Sequence, residues 1–388
     1  MPIRNRLGET HADVTAWRQH LHAHPELGFA EHETAAFVAQ TLREIGVDEM
    51  VTGVAQTGIV AVIKGRTDTA GRVIGLRADM DALPITEASG VDFSSKNHGV
   101  MHACGHDGHT SILLGAAQYL AETRNFDGTV VLFFQPAEEG GGGGREMVNA
   151  GVMDRWGVQE VYGLHNMPGL PTGQFAIRSG ALLASADEFE VVVTGKGGHA
   201  AAPHQARDPN LAAAHILLGL QSITSRNVDP LHASVVSVCA LHSDVDTHNV
   251  IPQTTRMTGT VRALDAGVRD MMEARVQAIA TATAQAYDCV AEVTYTRGYP
   301  ITVNHPDETE YAAAAARAVA GDVITDTPPV MAAEDFSYML EARPGAYIFL
   351  GNGDNGTLHH PAYRFDDNAI PAGCSWFVEL VEQRMPAH

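Results

Sequence analysis

Cysteine is scarce in this sequence, and its few cysteines are not paired. The four residues, Cys104, Cys239, Cys289 and Cys374, form no C-x-x-C motif in a chain of 388 residues. Scattered thiols of this kind are typical of a reducing, intracellular compartment rather than of a disulfide framework. The sequence also lacks an apolar run of about 20 residues, and its first residues are polar. We therefore expect no transmembrane helix, no signal peptide and a cytoplasmic location.

Basic residues are also in short supply. The chain carries 25 lysine and arginine residues against 46 aspartate and glutamate residues, which gives a net charge of −21. Binding to nucleic acid requires a basic surplus that neutralises phosphates, and attraction to an anionic membrane requires one too. The composition argues against both roles. We interpret the acidity as a source of solubility, because net charge informs on association rather than on chemistry.

Several motifs of other enzyme classes are missing. The sequence has no G-x-S-x-G elbow for serine hydrolysis, no H-E-x-x-H zinc motif, and neither of the glycine-rich phosphate-binding patterns G-x-G-x-x-G and G-x-x-x-x-G-K-[ST]. The consecutive glycines at 140–144 are better interpreted as a segment in which the backbone passes close to a site. Histidine, by contrast, is abundant, with 20 residues.

Outside a central region, short apolar runs alternate with segments of helical spacing. This alternation predicts an α/β domain in which helices cover a mixed sheet. Bounded apolar runs of this length suit buried, largely parallel strands. Strands are predicted at 58–63, 73–76, 129–134, 161–164 and 346–351, and helices at 9–22, 31–45, 111–122, 145–150, 308–320 and 373–384.

The central region, 187–297, has a different order of elements. Its β-α-β-β-α-β pattern is that of the ferredoxin-like α+β unit. Because this unit begins and ends within the chain, we expect an inserted domain at 187–297 and a catalytic domain formed by 1–186 and 298–388. Within the insert, strands are predicted at 188–194, 233–241, 254–263 and 289–296, and helices at 209–226 and 266–287.

Polar side chains follow four of the predicted strands. In an open α/β sheet the ligand crevice lies beyond the carboxyl ends of the strands, so we expect these side chains to meet at one edge. They are Asp79 and Asp81 after 73–76, Glu138 and Glu139 after 129–134, His165 after 161–164, and His359 with His360 after 346–351.

Cys104 and His106 complete the predicted cluster. Only Gly105 separates them, so a tight loop can present both side chains to one ion. Thiolate, imidazole and carboxylate are the ligand types of zinc and related divalent metals, and the cluster therefore predicts a metal site. Cys104 as a nucleophile with His106 as its base is an alternative. The nearby carboxylates would, however, raise the pKa of the thiol unless a cation were present.

The two adjacent glutamates allow a division of labour. On extended backbone, Glu138 and Glu139 tend to face different ways. One would then bind the metal while the other acts as general base towards the water. Asp81 could orient a metal ligand without binding the metal itself.

At these residues the sequence resembles the co-catalytic metallopeptidases of the aminoacylase and carboxypeptidase type. It is most similar to their branch of hippurate hydrolases, indoleacetyl-amino-acid hydrolases and N-acyl-amino-acid deacetylases. The resemblance runs through nearly the whole chain and does not rest on a single motif. The matching motifs lie at 24–27, 77–84, 101–107, 135–143, 195–204, 334–336 and 358–361.

This resemblance implies a zinc-peptidase-like catalytic domain that binds two divalent ions, which would be Zn, Mn, Ni or Co. It implies Glu138 as the general base and Asp81 as the orienting carboxylate. In this branch the last motif has the form Leu-His-x-Pro, which selects His359 and leaves His360 at the variable position. Other branches carry a histidine ligand where Asp79 stands here. The implied metal ligands are Cys104, His106, Glu139, His165 and His359.

For the inserted domain, the resemblance implies dimerisation and closure over the substrate, within a homodimer or a dimer of dimers. His199 matches a histidine that stabilises the oxyanion, in several relatives within the neighbouring subunit's site. Asn249 and Arg262 match positions that bind polar groups or a carboxylate of the substrate. Without the resemblance, His199 would be typical of a turn that follows a strand.

The expected reaction is hydrolysis of an N-acyl-L-amino acid to a carboxylic acid and a free amino acid. A dipeptidase or carboxypeptidase of the same family would use the same machinery with a different pocket. A non-catalytic protein that binds a small ligand in the cleft is the alternative from another class. Glu138 argues against that alternative, because a binding protein needs no general base.

Overall fold

The computed structural model describes residues 5–387, and the chain divides into two compact units. The first unit contains Met1–Leu182, Val303–Pro328 and Asp335–His388, and the second contains Leu183–Thr302 and Pro329–Glu334. The segment 187–297, expected as an insert, lies wholly within the second unit. That unit also takes in Pro329–Glu334, which the sequence analysis assigned to the catalytic domain.

The secondary structure alternates between strands and helices in both units. The strands are β1 Glu49–Val54, β2 Gly58–Lys64, β3 Val73–Asp79, β4 Thr129–Gln135, β5 Glu160–Met167, β6 Phe175–Ala176, β7 Gly180–Leu183, β8 Asp187–Thr194, β9 Gly198–His199, β10 Ser234–Ser243, β11 Val250–Ile251, β12 Thr254–Ala263, β13 Val290–Arg297, β14 Thr302–Asn304, β15 Val323–Ile324 and β16 Gly345–Gly351. The α-helices are α1 Asn5–Glu9, α2 His11–Ala23, α3 His32–Ile45, α4 His106–Thr123, α5 Gly143–Asn149, α6 Val152–Arg155, α7 Pro209–Ser222, α8 Ala266–Ala286, α9 Pro306–Ala320, α10 Ser337–Ala342 and α11 Ile370–Arg384.

An eight-stranded mixed sheet forms the centre of the first unit, in the order β1-β2-β4-β3-β5-β16-β6-β15. Its middle strands β4, β3, β5 and β16 run parallel, whereas β2 pairs antiparallel with β1 and β4, and β6 pairs antiparallel with β16. The middle strands are buried along almost their whole length, as continuous apolar runs require. The prediction of an α/β class with a mixed sheet is confirmed.

Helix α4 carries part of the site into the core of this unit. Most of its residues are buried, and it packs against α2, α3 and α11. The packing is close: a Cβ at Gly108 would lie 2.2 Å from the ring of Phe365, and one at Gly115 would lie 2.8 Å from Cys374 Sγ. Because the helix begins at His106, the fixed position of α4 also fixes this histidine.

The second unit contains a four-stranded antiparallel sheet in the order β10-β12-β8-β13. Helices α7 and α8 pack against it, and their apolar side chains join those of the strands in a separate core that includes Val191, Met257 and Met272. The alternation of buried and more exposed residues along β8 and β12 fits a sheet with one covered face. The elements follow the β-α-β-β-α-β order expected from the sequence.

Several element boundaries differ from the sequence-based prediction. Strand β1 was not predicted, because its residues are polar or only partly buried and show no clear alternation. The helix predicted at 209–226 ends at Ser222 and continues as one π-helical turn, Ile223–Asn227. Strand β5 continues through His165 to Met167, so this histidine lies within a strand and not after one. Among residues 5–387, no helix combines the length and the apolar character that crossing a bilayer requires.

Candidate metal centre

The predicted metal-binding side chains of the first unit lie close together. They come from the loop before α4, the start of α4, the turn after β4, strand β5 and the loop after β16. They form three groups in which the ligand atoms lie within 4.8 Å of one another: Cys104 with His106 and His165, Cys104 with Glu139 and His359, and His106 with Glu138 and Glu139. Asp79, His106 and His109 form a further group of this kind.

The approach of Cys104 to His106 depends on the glycine between them. Gly105 has a φ of +90°, a conformation that L side chains rarely adopt. A Cβ at this position would lie 2.4 Å from Asn166 Nδ2 and 2.5 Å from the Tyr363 hydroxyl. Both predicted ligands were expected on a loop, but His106 is the first residue of α4.

Two histidines of the cluster, the buried His106 and the partly buried His165, are held by Nδ1, which leaves Nε2 available to a metal ion. His106 Nδ1 lies 2.8 Å from the main-chain oxygen of Asp81, and His165 Nδ1 lies 2.7 Å from that of Asn166. A main-chain oxygen can only accept, so each Nδ1 carries the proton. His106 Nε2 is buried and has no hydrogen-bond partner among the described residues, while His165 Nε2 lies 3.4 Å from Cys104 Sγ. This arrangement is typical of histidines that bind a metal ion.

Asp81 connects His106 to the adjacent glutamates. Its two carboxylate oxygens accept hydrogen bonds from the main-chain N–H groups of Glu138 and Glu139, both at 2.9 Å. Extended backbone was expected at the two glutamates, but they lie in a turn that follows Ala137, which has a φ of +49°. Both carboxylates therefore come near His106.

His359 closes the cluster on its more exposed side. Its Nε2 lies 3.0 Å from Glu139 Oε1, and about half of its side chain is exposed. Its main-chain N–H donates to Ala103, which ties the C-terminal loop to the loop that carries Cys104. His360 instead accepts a hydrogen bond from the main-chain N–H of Ala362 through Nδ1, and it belongs to none of the ligand groups found among residues 5–387.

The electrostatics of the cluster fit a bound cation. Burial and the nearby Glu139 and Glu138 raise the pKa of the Cys104 thiol well above its ordinary value, so a thiolate needs compensating positive charge there. Burial opposes a charge on His106, yet Asp79 and Asp81 raise its pKa to about 10. A divalent cation would supply the positive charge that these carboxylates otherwise draw from a proton. The residues present therefore fit a metal, whereas Cys104 as an unassisted nucleophile fits poorly.

Three buried residues of the site, Arg77, His109 and Asn166, were given no role in the sequence-based prediction. Asp79 does not stand free: Arg77 Nη1 and His109 Nδ1 each donate to it at 2.7 Å. His109 Nε2 accepts from the main-chain N–H of Asn166 at 2.9 Å, so both of its nitrogens are engaged. The repeated histidines of the 101–109 segment were a visible signal, but the partners of His109 lie far away in sequence and gave none.

Three further predicted site residues lie in the second unit. His199 pairs with Val250 between the short strands β9 and β11, is exposed, and accepts a hydrogen bond from the main-chain N–H of Ala201 through Nδ1. Asn249 lies beside it, since its main-chain oxygen accepts from Ala200 N–H at 3.1 Å. Arg262 lies in β12 and donates from Nη1 to the main-chain oxygen of Val261. Within its unit, the structure thus brings His199 and Asn249 together.

Comparisons with known proteins assign the chain to a family. The model of Peptidase family M20/M25/M40 matches residues 75–383. The chain belongs to this family. The hippurate hydrolase of Campylobacter jejuni is 41% identical over 366 residues, which cover 94% of this chain and 94% of that protein. Thermostable carboxypeptidase 2 of Saccharolobus solfataricus is 39% identical over 381 residues, which cover 96% of this chain and 95% of that protein.

A solved structure extends the comparison to the fold. A dinuclear metal-binding peptidase of the M20 family from Bacillus subtilis has a TM-score of 0.85 and 35% identity, with 97% of this chain and 99% of that chain covered. Membership in the M20 family, together with the cluster described above, identifies this chain as a metal-dependent hydrolase.

Proposed function

We propose that this protein is an amidohydrolase that cleaves N-acyl-L-amino acids, of the hippurate or N-acetyl-amino-acid type, to a carboxylic acid and a free amino acid. The observation that carries the proposal is the cluster in which imidazole, thiol and carboxylate groups converge beside a second carboxylate, Glu138. The similarity to the hippurate hydrolase over almost the whole of both chains supports the substrate class.

Two divalent ions are part of the proposal, and their identity is open among Zn, Mn, Ni and Co. His106 Nε2 has no hydrogen-bond partner among residues 5–387, and Nδ1 hydrogen bonds orient both His106 and His165, which supports these two side chains as ligands. Ions held there would supply Lewis acidity and lower the pKa of a water molecule. The proposed ligands are Cys104, His106, Glu139, His165 and His359.

Glu138 is proposed as the general base. It would accept a proton from the attacking water and later pass it to the leaving amine. Its main-chain N–H is held by Asp81, and the neighbouring N–H of Glu139 is held by the same carboxylate. Asp81 would therefore fix the direction of both glutamates as well as that of His106.

The second unit is proposed to bind substrate, to close over it, and to form the contact of a homodimer or a dimer of dimers. His199 would stabilise the oxyanion of the tetrahedral intermediate. Its exposed position beside Asn249 supports a contact with a polar ligand, because neither side chain is buried in the core of its unit. Arg262 would pair with the free carboxylate of the amino acid, for which a guanidinium is well shaped.

A dipeptidase or carboxypeptidase activity is the second candidate, and the similarity to the carboxypeptidase supports it. A substrate panel separates the two. The metal-loaded protein is assayed with hippurate, N-acetyl amino acids, dipeptides and acyl-blocked dipeptides, each in the presence of Zn²⁺, Mn²⁺, Ni²⁺ or Co²⁺. We expect the highest kcat/KM on N-acyl amino acids. A preference for peptides would favour the second candidate.

The panel also tests whether the protein is catalytic at all. A non-catalytic binding protein would hold the metal and a ligand but turn over none of these amides. Hippuramide, which lacks the free carboxylate of hippurate, serves as a control for Arg262. If Arg262 pairs with the carboxylate, Arg262→Met will lower kcat/KM on hippurate strongly and on hippuramide little.

A further inference from the structure

The side chain of Asn166 contacts three segments that carry proposed metal ligands, although the sequence predicted no role for this residue. It is fully buried and follows His165 in β5. Its Nδ2 donates to the main-chain oxygen of Cys104 at 2.6 Å, and the same amide lies 3.0 Å from His109 Nε2. Its Oδ1 accepts a hydrogen bond from the Tyr363 hydroxyl at 2.7 Å.

The chemistry of these partners fixes the orientation of the amide. The main-chain oxygen of Cys104 can only accept, so the atom that faces it must be the nitrogen. The oxygen of Asn166 then faces Tyr363, whose hydroxyl donates. His109 accepts at Nε2, since its Nδ1–H is used by Asp79. Every polar group of the side chain is therefore engaged.

Each partner belongs to a segment that carries a proposed ligand. Cys104 is itself one, and His109 lies one helical turn after His106 in α4. Tyr363 is in the loop that contains His359, whose own N–H is bound to Ala103. The main chain of Asn166 adds a fourth connection, because its carbonyl oxygen accepts a hydrogen bond from Nδ1 of His165.

From these contacts we infer that Asn166 is a positioning residue, which holds the segments of Cys104, His106, His165 and His359 at the spacing that a metal ion needs. This inference rests on the proposed function, since it takes those residues as ligands. Asn166 does not itself bind the metal. It also explains Gly105, because its Nδ2 and the Tyr363 hydroxyl occupy the space that a Cβ would need.

Two neutral substitutions test the inference in the full-length protein. Asn166→Leu has a similar branched shape and removes only the side-chain hydrogen bonds, leaving the main-chain bonds to His109 and His165. Tyr363→Phe removes one hydroxyl and little volume. The metal is removed with a chelator, and Co²⁺ is titrated back while the thiolate-to-cobalt and d–d absorption bands are recorded.

A matched control exists elsewhere in the first unit. Asn304 is also buried, and its amide donates to the main-chain oxygens of Arg178 and Tyr347 and accepts from the N–H of Tyr347. Asn304→Leu removes a comparable set of hydrogen bonds, none of which is made by Cys104, His109, His165 or Tyr363. We expect both leucine variants to lower the melting temperature, but only Asn166→Leu to weaken Co²⁺ binding.

The expected size follows from residues that orient metal ligands, whose loss weakens metal binding about 10- to 100-fold. Asn166→Leu should fall in this range and shift the thiolate-to-cobalt band, and Tyr363→Phe should weaken Co²⁺ binding by a smaller factor in the same direction. If Asn166→Leu does not fold, Tyr363→Phe decides the question alone. Unchanged affinity in the folded variants, or equal weakening in Asn304→Leu, overturns the inference. Failure of the wild-type protein to bind Co²⁺ would instead overturn the proposed function.

Discussion

Two buried polar clusters, one in each unit, differ in how far their members satisfy one another. In the second unit, Asp187 is completely buried, and its oxygens accept from Arg269 Nη2 and Nε, the Tyr295 hydroxyl and the N–H of Gly298. In the first unit, the equally buried His106 keeps Nε2 without a hydrogen-bond partner among the described residues.

The difference separates a structural cluster from one that takes a ligand. A buried charge is stable only when it is paired and hydrogen-bonded, and the carboxylate of Asp187 meets this condition within the protein. Around His106 the carboxylates outnumber the available cations, and its Nε2 lies 3.6 Å from Asp79 Oδ2, beyond hydrogen-bond distance. A cation from outside the chain would balance these carboxylates, which supports the proposed metal site in the first unit.

The largest expected effect concerns catalysis at the cluster around His106. Glu138→Gln keeps the shape of the side chain but cannot accept a proton, so kcat should fall by about 10²- to 10⁴-fold. Metal content, measured by elemental analysis, should stay close to that of the wild type. Glu310→Gln on the exposed face of α9 is the control and should be fully active. A Glu138→Gln protein that retains its metal and its full activity would refute the assignment.

The next effect concerns the cluster around Asp187, where a substitution should change the stability of the protein but not its metal binding. Asp187→Leu leaves Arg269 buried without its carboxylate, and breaking such a pair costs about 3–5 kcal/mol. We expect a markedly lower thermal midpoint of the second unit with unchanged Co²⁺ affinity. Adding Arg269→Met removes the stranded charge and should restore part of the loss. A change in Co²⁺ affinity would contradict the separation between the two clusters.

A smaller effect is expected at Asp81, which accepts hydrogen bonds from the main-chain N–H groups of Glu138 and Glu139. Asp81→Asn retains the size of the side chain, but its amide nitrogen cannot accept from the N–H of either glutamate and one of the two hydrogen bonds is lost. Co²⁺ affinity should fall about 10- to 100-fold. Titration of the metal-free protein measures this, and a wild-type affinity would show that Asp81 is not needed to orient the ligands.

The smallest effect is a pH dependence of stability at His22, whose partner Asp107 follows His106 in α4. His22 is buried; burial lowers its pKa, but Asp107 and Glu87 together raise it to about 9. Its folded pKa thus lies above the ordinary 6.5, so its stabilising effect is complete below pH 6.5 and is lost as pH rises through 9. His22→Gln should therefore lower the melting temperature of the metal-free protein most at pH 6 and least above pH 9. A pH-independent difference would contradict this assignment.

The regular elements were largely predictable because their patterns are local. The residues of β12, 254–263, were predicted with their observed bounds, since a strand with one covered face alternates in the sequence itself. β1 was missed because most of its side chains remain partly exposed and its pairing with β2 leaves no periodic signal. His165 was placed after its strand, because the apolar run ends before it while the pairing with β16 continues to Met167.

The candidate site was predictable in its residue types but not in its connections. Cys104, His106 and the adjacent glutamates are visible in the sequence as groups that bind metal. The hydrogen bond between Asn166 and Cys104 spans 62 positions of the chain, and that between Asn166 and Tyr363 spans 197. No local pattern encodes such contacts.

The sequence by itself determined which chemistry is available: thiolate, imidazole and carboxylate groups placed near the ends of buried strands, and a central region with its own β-α-β-β-α-β order. Only the tertiary structure decided which nitrogen of each histidine is free, that the carboxylate of Asp79 is already engaged, and that Asn166 joins the ligand segments. The reason is that side-chain identity is a property of each position, whereas hydrogen-bond saturation depends on which distant segments the packing of β5 against α4 brings together.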